Sequence, residues 1–88
     1  MTIEEVKELI KIDETRVVEF KKTTGELKDA MHSVCAMLNS DGGYVIIGIA
    51  PKSLNILGQI VSDKTRQEIA WEIRKLEPFV NMAVEYVD

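Results

Sequence analysis

Carboxylates are the residues in this chain best placed to do chemistry. Glu14 and Glu19 flank the first expected strand, five residues apart. Two carboxylates hold a divalent ion only if they converge, and an odd offset puts them on opposite faces of a regular strand. Convergence requires Glu14 to sit in the turn before the strand; otherwise both are surface acids. A basic group surrounds the same strand: Arg16, Lys21, Lys22 and Lys28. Such a cluster can contact phosphates without reading sequence. It is opposed by Glu14, Glu19 and Glu26 in the same region and by a net charge of −4. His32 and Ser33 fall off the apolar stripe of their helix and have no acid partner in the pattern, which argues against a Ser-His pair. Cys35 lies on that stripe and reads as a small core hydrophobe. One cysteine with one histidine cannot build a zinc site. Gly42, Gly43 and Gly48 make no phosphate loop, because they precede a strand rather than a helix. No cofactor and no metal are expected.

The elements that must position these residues are legible in order. Thr2-Ile-Glu-Glu5 is a capping box opening a short amphipathic helix over Ile3 to Lys11. Arg16 to Lys22 alternates as a strand, with Val18 and Phe20 on one face and Val17, Glu19 and Lys21 on the other. That second face is expected to be partly wet, with a cross-strand ion pair worth little. Thr23-Thr-Gly-Glu26 reads as a second capping box, starting a helix from Glu26 to Asn39 whose stripe is Leu27, Ala30, Met31, Val34, Cys35 and Leu38. Asn39, Ser40, Asp41, Gly42 and Gly43 form a dense helix-stop and turn cluster, with positive φ expected at the glycines. Tyr44 to Ile49 follows as an unalternated apolar run that suits a strand covered on both faces. Gly48 inside it marks a bulge or the close approach of another backbone.

After a Pro51 turn, Leu54 to Val61 is expected as the antiparallel partner of that strand. Ser62 or Asp63 caps a third helix through Leu76, with Ile69, Ala70, Ile73 and Leu76 toward the core and Trp71 nearly opposite. Phe79 to Val87 reads as a last strand, with Val80, Met82, Val84 and Tyr86 on one face. The expected architecture is α+β: a mixed four-stranded sheet, two main helices packed on it and a short N-terminal helix, in the order α-β-α-β-β-α-β. An apolar last strand ending at Asp88 would leave an open edge, so the chain reads as one domain of a longer protein. That edge and Trp71 make a homodimer the expected assembly.

Eighty-eight residues, 45% apolar and 30% charged, suit one small globular domain. No apolar run approaches the roughly 20 residues needed to span a bilayer, and the acidic N-terminus is not signal-like. No membrane partner is expected, and the expected location is cytoplasmic.

The motif set also resembles a known family. Glu14-Thr-Arg-Val-Val-Glu19-Phe20-Lys21, then Ala36-Met-Leu-Asn39-Ser-Asp-Gly42-Gly43-Tyr-Val-Ile-Ile-Gly48-Ile, is similar to the Schlafen-type, Alba-like DNA-binding domain. Gly58 matches the glycine of that family's next strand, and Pro78 the proline closing its next helix. The resemblance runs from Glu14 to the last strand. It implies an α+β nucleic-acid-associated module, DNA ahead of RNA, of the kind found in bacterial and archaeal transcriptional regulators. There the module often precedes a divergent ATPase-like region and a winged helix-turn-helix. In animal Schlafens a nuclease site uses three acids. Glu14 and Glu19 match two of them, but Ala50-Pro51 stands where the third is expected. Metal-assisted phosphodiester cleavage needs carboxylates to hold the ion and orient water. The resemblance therefore implies a module without enzymatic activity as it stands. The alternatives are a nuclease-like domain with an incomplete site, or an interaction domain.

Overall fold

The computed structural model describes residues 1–12, 18–39, 42–75 and 82–87. Helix α1 spans Ile3–Ile12, strand β1 Val18–Lys21, helix α2 Leu27–Leu38, strand β2 Tyr44–Ile47 and helix α3 Asp63–Arg74, with a 3-10 turn at Thr24–Glu26. Glu14 and Arg16, the turn residues Ser40 and Asp41, and Leu76 to Val80 lie outside the described residues.

The capping box at Thr2 forms. The Glu5 N–H donates to Thr2 Oγ1 at 3.2 Å, and the Thr2 N–H donates to the Glu5 carboxylate at 3.3 Å. It starts a helix whose Val6 is buried and whose Ile3, Leu9 and Ile10 pack on the core partly exposed. That core is Val6, Val18, Phe20 and Ile49. The alternation in β1 is therefore real, with Val18 and Phe20 sealed while Glu19 and Lys21 face the other way half-buried.

Strand β1 runs parallel to β2, with Val18 opposite Tyr44 and Lys21 opposite Ile47. A parallel pair needs a crossover, and α2 supplies it. The second expected capping box is replaced by a tighter arrangement. Thr23 Oγ1 accepts from the Gly25 N–H at 3.0 Å, and the Glu26 carboxylate accepts from the Lys22 N–H at 2.9 Å. The result is the 3-10 turn, so α2 begins at Leu27 and not at Glu26. Its buried face is also rotated from the expected stripe. Leu27, Ala30 and Met37 are buried, Met31, Val34 and Cys35 are half-buried, and Leu38 is exposed. The Met31 and Cys35 side meets α3 across an open cleft, which covers it only in part.

At the end of α2 the Asn39 N–H closes the last turn on Cys35. The Gly42 N–H then reaches the Met37 carbonyl at 2.8 Å, a six-residue closure typical of helix C-termini. Gly42 has φ +80°, and a Cβ there would meet no atom within 4 Å. Valine at Gly42 therefore pays only for the left-handed backbone. The expected cost is about 1–2 kcal/mol, read as a shift in the urea midpoint.

The four-stranded sheet is not present: among the described residues there is one sheet of two parallel strands. Leu54 to Val61 comes back antiparallel as expected, but only as a single bridge between Ile49 and Ile56. Leu54 (φ +62°) and Gly58 (φ +76°) are both left-handed, so the segment cannot stay extended. Residues 82–87 form no strand. Instead Arg66 sits 4.2 Å over the Tyr86 ring, and the Glu85 carboxylate accepts from the Met1 ammonium, holding its pKa above the usual range. Strand β2 is not covered on both faces: Tyr44 is exposed and Val45 to Ile47 are half-buried.

Helix α3 opens on a capping box between Ser62 and Thr65. Of its expected stripe, Ile69 and Ile73 are half-buried and Ala70 is exposed. Thr65 and Glu72 share the covered face instead, and no residue of α3 is fully buried where the helix packs on α2. No described helix is long and apolar enough to cross a membrane. The fold is α+β, with three helices and a two-stranded parallel sheet among the described residues.

Candidate nucleic-acid interface

The expected basic group is spread across several environments. Lys21 and Glu19, two apart on one strand face, are joined at 3.5 Å with side chains 17% and 31% exposed. The ion pair is thus within one strand and not cross-strand. Beyond it the Lys21 carbonyl accepts from the amides of Gly48 (2.7 Å) and Ile49 (3.2 Å), which anchors the end of β1 to the chain leaving β2. Lys22 follows directly and is exposed, its own N–H fixed by Glu26.

Lys28 lies elsewhere, on the first turn of α2 facing α3. It lines a cleft of about 260 Å³ with Met31, His32, Cys35, Glu72 and Lys75. A second cleft beside it carries Glu26, Asp29, Glu68 and Glu72. Lys28 is therefore bordered by acids, which weakens it as a phosphate contact. His32 is exposed, and the Ser33 hydroxyl donates to the Asp29 carbonyl at 3.3 Å, so these neighbours form no catalytic pair. Lys75, paired to Glu72 at 3.0 Å, joins the cleft although sequence reasoning passed over it. Forty-seven residues separate it from Lys28, so only the packing of α3 on α2 could reveal it.

Of the two candidate carboxylates, Glu14 lies outside the described residues. Glu19 is half-buried and held by Lys21, while Ala50 occupies the position where the resemblance reserves an acid. The Ala50 N–H donates to Asn55 and its carbonyl accepts from Leu54, so that position is part of a tight turn. Among the described residues, no three His, Cys, Asp or Glu side chains come together as metal ligands.

The structural turn residues are better placed. Asn39 and Gly42 close α2, and Gly43 leads into β2. Gly48 (φ +105°) lets the Gly58 backbone approach to where a Cβ would stand 3.1 Å from its carbonyl carbon. The close backbone approach expected of an interior strand glycine is thus real.

No solved structure matches the chain significantly. The family model described as Schlafen, AlbA_2 matches residues 14–88. That span contains β1, the crossover helix, the glycine turn and the Gly48–Gly58 contact, and the chain belongs to the Schlafen, AlbA_2 family, whose domains are nucleic-acid-related.

Proposed function

We propose that this domain is the DNA-binding module of a transcriptional regulator and that it performs no cleavage itself. The observation that carries the reading is the family match across residues 14–88. Lys21 and Lys22 at the end of β1, together with Arg16 and to a lesser degree Lys28, are the phosphate contacts in this reading. Its affinity is modest, because the net charge of −4 opposes it. The absence of cleavage follows from Ala50: with Glu14 and Glu19 alone, a divalent ion lacks the third carboxylate that orients it. The exposed Ile56, Leu57 and Ile60 supply apolar surface for the homodimer that such a regulator would use.

Labelled duplex DNA, titrated at several salt concentrations and followed by fluorescence anisotropy, tests the reading. Non-specific affinity in the range of about 10⁻⁴–10⁻⁶ M is expected, falling with salt. Lys22→Gln should reduce the slope of log K against log salt by about 0.9. Absence of binding at low salt refutes DNA binding, and Mn²⁺-dependent cleavage lost in Glu19→Gln would reinstate the nuclease.

A further inference from the structure

The segment after the Ile49–Ile56 bridge turns its apolar side chains outward and a polar one inward. Ile56, Leu57, Ile60 and Val61 are exposed, while Gln59 among them is half-buried. A primary amide leaves water at a cost unless its polar atoms find partners. Both ends of this one do. Gln59 Oε1 accepts from the Thr24 N–H at 3.1 Å, from 35 positions along the chain, and Gln59 Nε2 donates to the Ile60 carbonyl at 3.1 Å. A backbone donor faces one end and a backbone carbonyl the other, so one orientation of the amide satisfies both. Thr24 opens the 3-10 turn ahead of α2, where the first amides lack partners within the helix. Gln59 caps that turn from a distance.

Lys22 lies inside the stretch that this bond holds. On its upstream side the Lys21 carbonyl is bound by the Gly48 and Ile49 amides. The bonds around Lys22 itself are local. Its N–H donates to the Glu26 carboxylate, the Gly25 N–H to Thr23 Oγ1, and the Glu26 N–H to the Thr23 carbonyl. They shape the turn but would travel with it. Among the described residues, the hydrogen bond that ties this turn to a distant part of the chain is Thr24 to Gln59.

We propose that Gln59 is a positioning residue for DNA binding: its bond to Thr24 fixes the turn from which the exposed Lys22 ammonium meets a phosphate. The proposal rests on the DNA-binding reading above, in which Lys22 is one of the contacts. It adds a residue that acts through Lys22 rather than by touching DNA. Lysine is a point charge on a flexible four-carbon stem, so its reach depends on where its backbone is held. A turn tethered at both ends has already lost that backbone freedom, and binding has less left to order. Glu26 in the same turn opposes the phosphate, but it does so with or without Gln59 and cancels in the comparison.

Two substitutions cut the bond from opposite sides. Gln59→Met keeps the length of the side chain and removes its acceptor. Thr24→Pro removes the donor and suits its site. Position 24 opens the turn, where proline is tolerated, and Thr23 before it is already extended at φ −147° and ψ 167°. Both variants of the 88-residue chain are titrated with labelled duplex DNA at several salt concentrations. The parent, Lys22→Gln and the combination of Gln59→Met with Lys22→Gln run beside them, and urea midpoints are read on all. Gln59→Met and Thr24→Pro are each expected to lower the slope of log K against log salt by about 0.9, as Lys22→Gln does. The combined variant should lose no more than Lys22→Gln alone, because both changes remove the same contact. A role confined to the fold would lower the urea midpoint and leave the slope where it was. Slopes unchanged in Gln59→Met and Thr24→Pro, but lowered in Lys22→Gln, overturn the inference and leave DNA binding standing. So do losses that add in the combined variant. A slope lowered in only one of the two assigns the effect to that substitution and not to the bond, which overturns the inference as well. A Lys22→Gln slope equal to the parent's removes Lys22 from the contacts and the role of Gln59 with it. Loss of the folded state in both variants makes the bond a requirement of the fold and overturns the positioning role. A parent chain that binds no duplex even at low salt overturns this inference and the DNA-binding reading together.

Discussion

Gly48→Ala should destabilise the domain by about 3 kcal/mol, the combined effect of backbone strain and a contact that cannot relax. The residue has φ +105°, where side chains other than hydrogen are strained. The added Cβ would lie 3.1, 3.2 and 3.3 Å from the carbonyl carbon, oxygen and Cα of Gly58. All three are backbone atoms, so no rotamer change can clear them. Nor can the strand slide away, because the Gly48 N–H is bound to Lys21 at 2.7 Å and its carbonyl accepts from both Leu57 and Gly58. Gly58→Ala is the internal control. It too is left-handed, at φ +76°, but its Cβ would face open space, and about 1 kcal/mol is expected. Urea unfolding of the two variants separates strain from contact. Equal midpoints would mean that the close approach contributes nothing.

Phe20→Ala should cost about 3–5 kcal/mol. Phe20 is 1% exposed and stands in the same core as Val6, Val18 and Ile49, bordered by Leu9, Ile10, Ile46 and Leu54. Those neighbours come from α1, both strands and the segment after them, so a cavity there is walled by elements that cannot all collapse at once. Domains of this size hold only about 5–15 kcal/mol in total, and the variant is expected to lose its cooperative thermal transition near ambient temperature. Leu57→Ala, at a side chain 56% exposed, should stay within about 0.5 kcal/mol of the parent. A Phe20→Ala melt that overlays the parent would show that the core lies elsewhere.

The helices were legible because their start signals are local. Thr2 with Glu5 and Ser62 with Thr65 satisfy the first amides from within a few residues, and no distant partner is needed. The alternation of Val18 and Phe20 was equally plain. The expected third strand failed where the local pattern is silent about backbone sign. Leu54 to Val61 reads as an extended strand, yet Leu54 adopts φ +62°, a conformation rare for leucine and set by the turn bonds from Ala50 to Leu54 and Asn55. The candidate site divides in the same way. Lys21 and Lys22 fall where the strand puts them, but the company Lys28 keeps depends on α3, which begins 35 residues after it in sequence. Trp71 was placed opposite the core by helical arithmetic, while the turning of Glu72 away from it follows from packing alone.

The parallel pairing of β1 with β2 also bears on how fast the chain can fold. Val18 meets Tyr44 across 26 residues, so the sheet gains nothing until that whole loop is closed. A disordered loop of this length would make the closure slow and leave two unpaired strands open to other chains in the interval. Helix α2 shortens the search, since twelve of those residues can coil locally in about a microsecond before any long-range contact exists. The folding nucleus is therefore expected to contain α2 with the β1–β2 pair, while α3, with no residue fully buried, docks after the rate-limiting step. Sequence changes on α2 would then govern the rate of folding, and those on α3 the rate of coming apart.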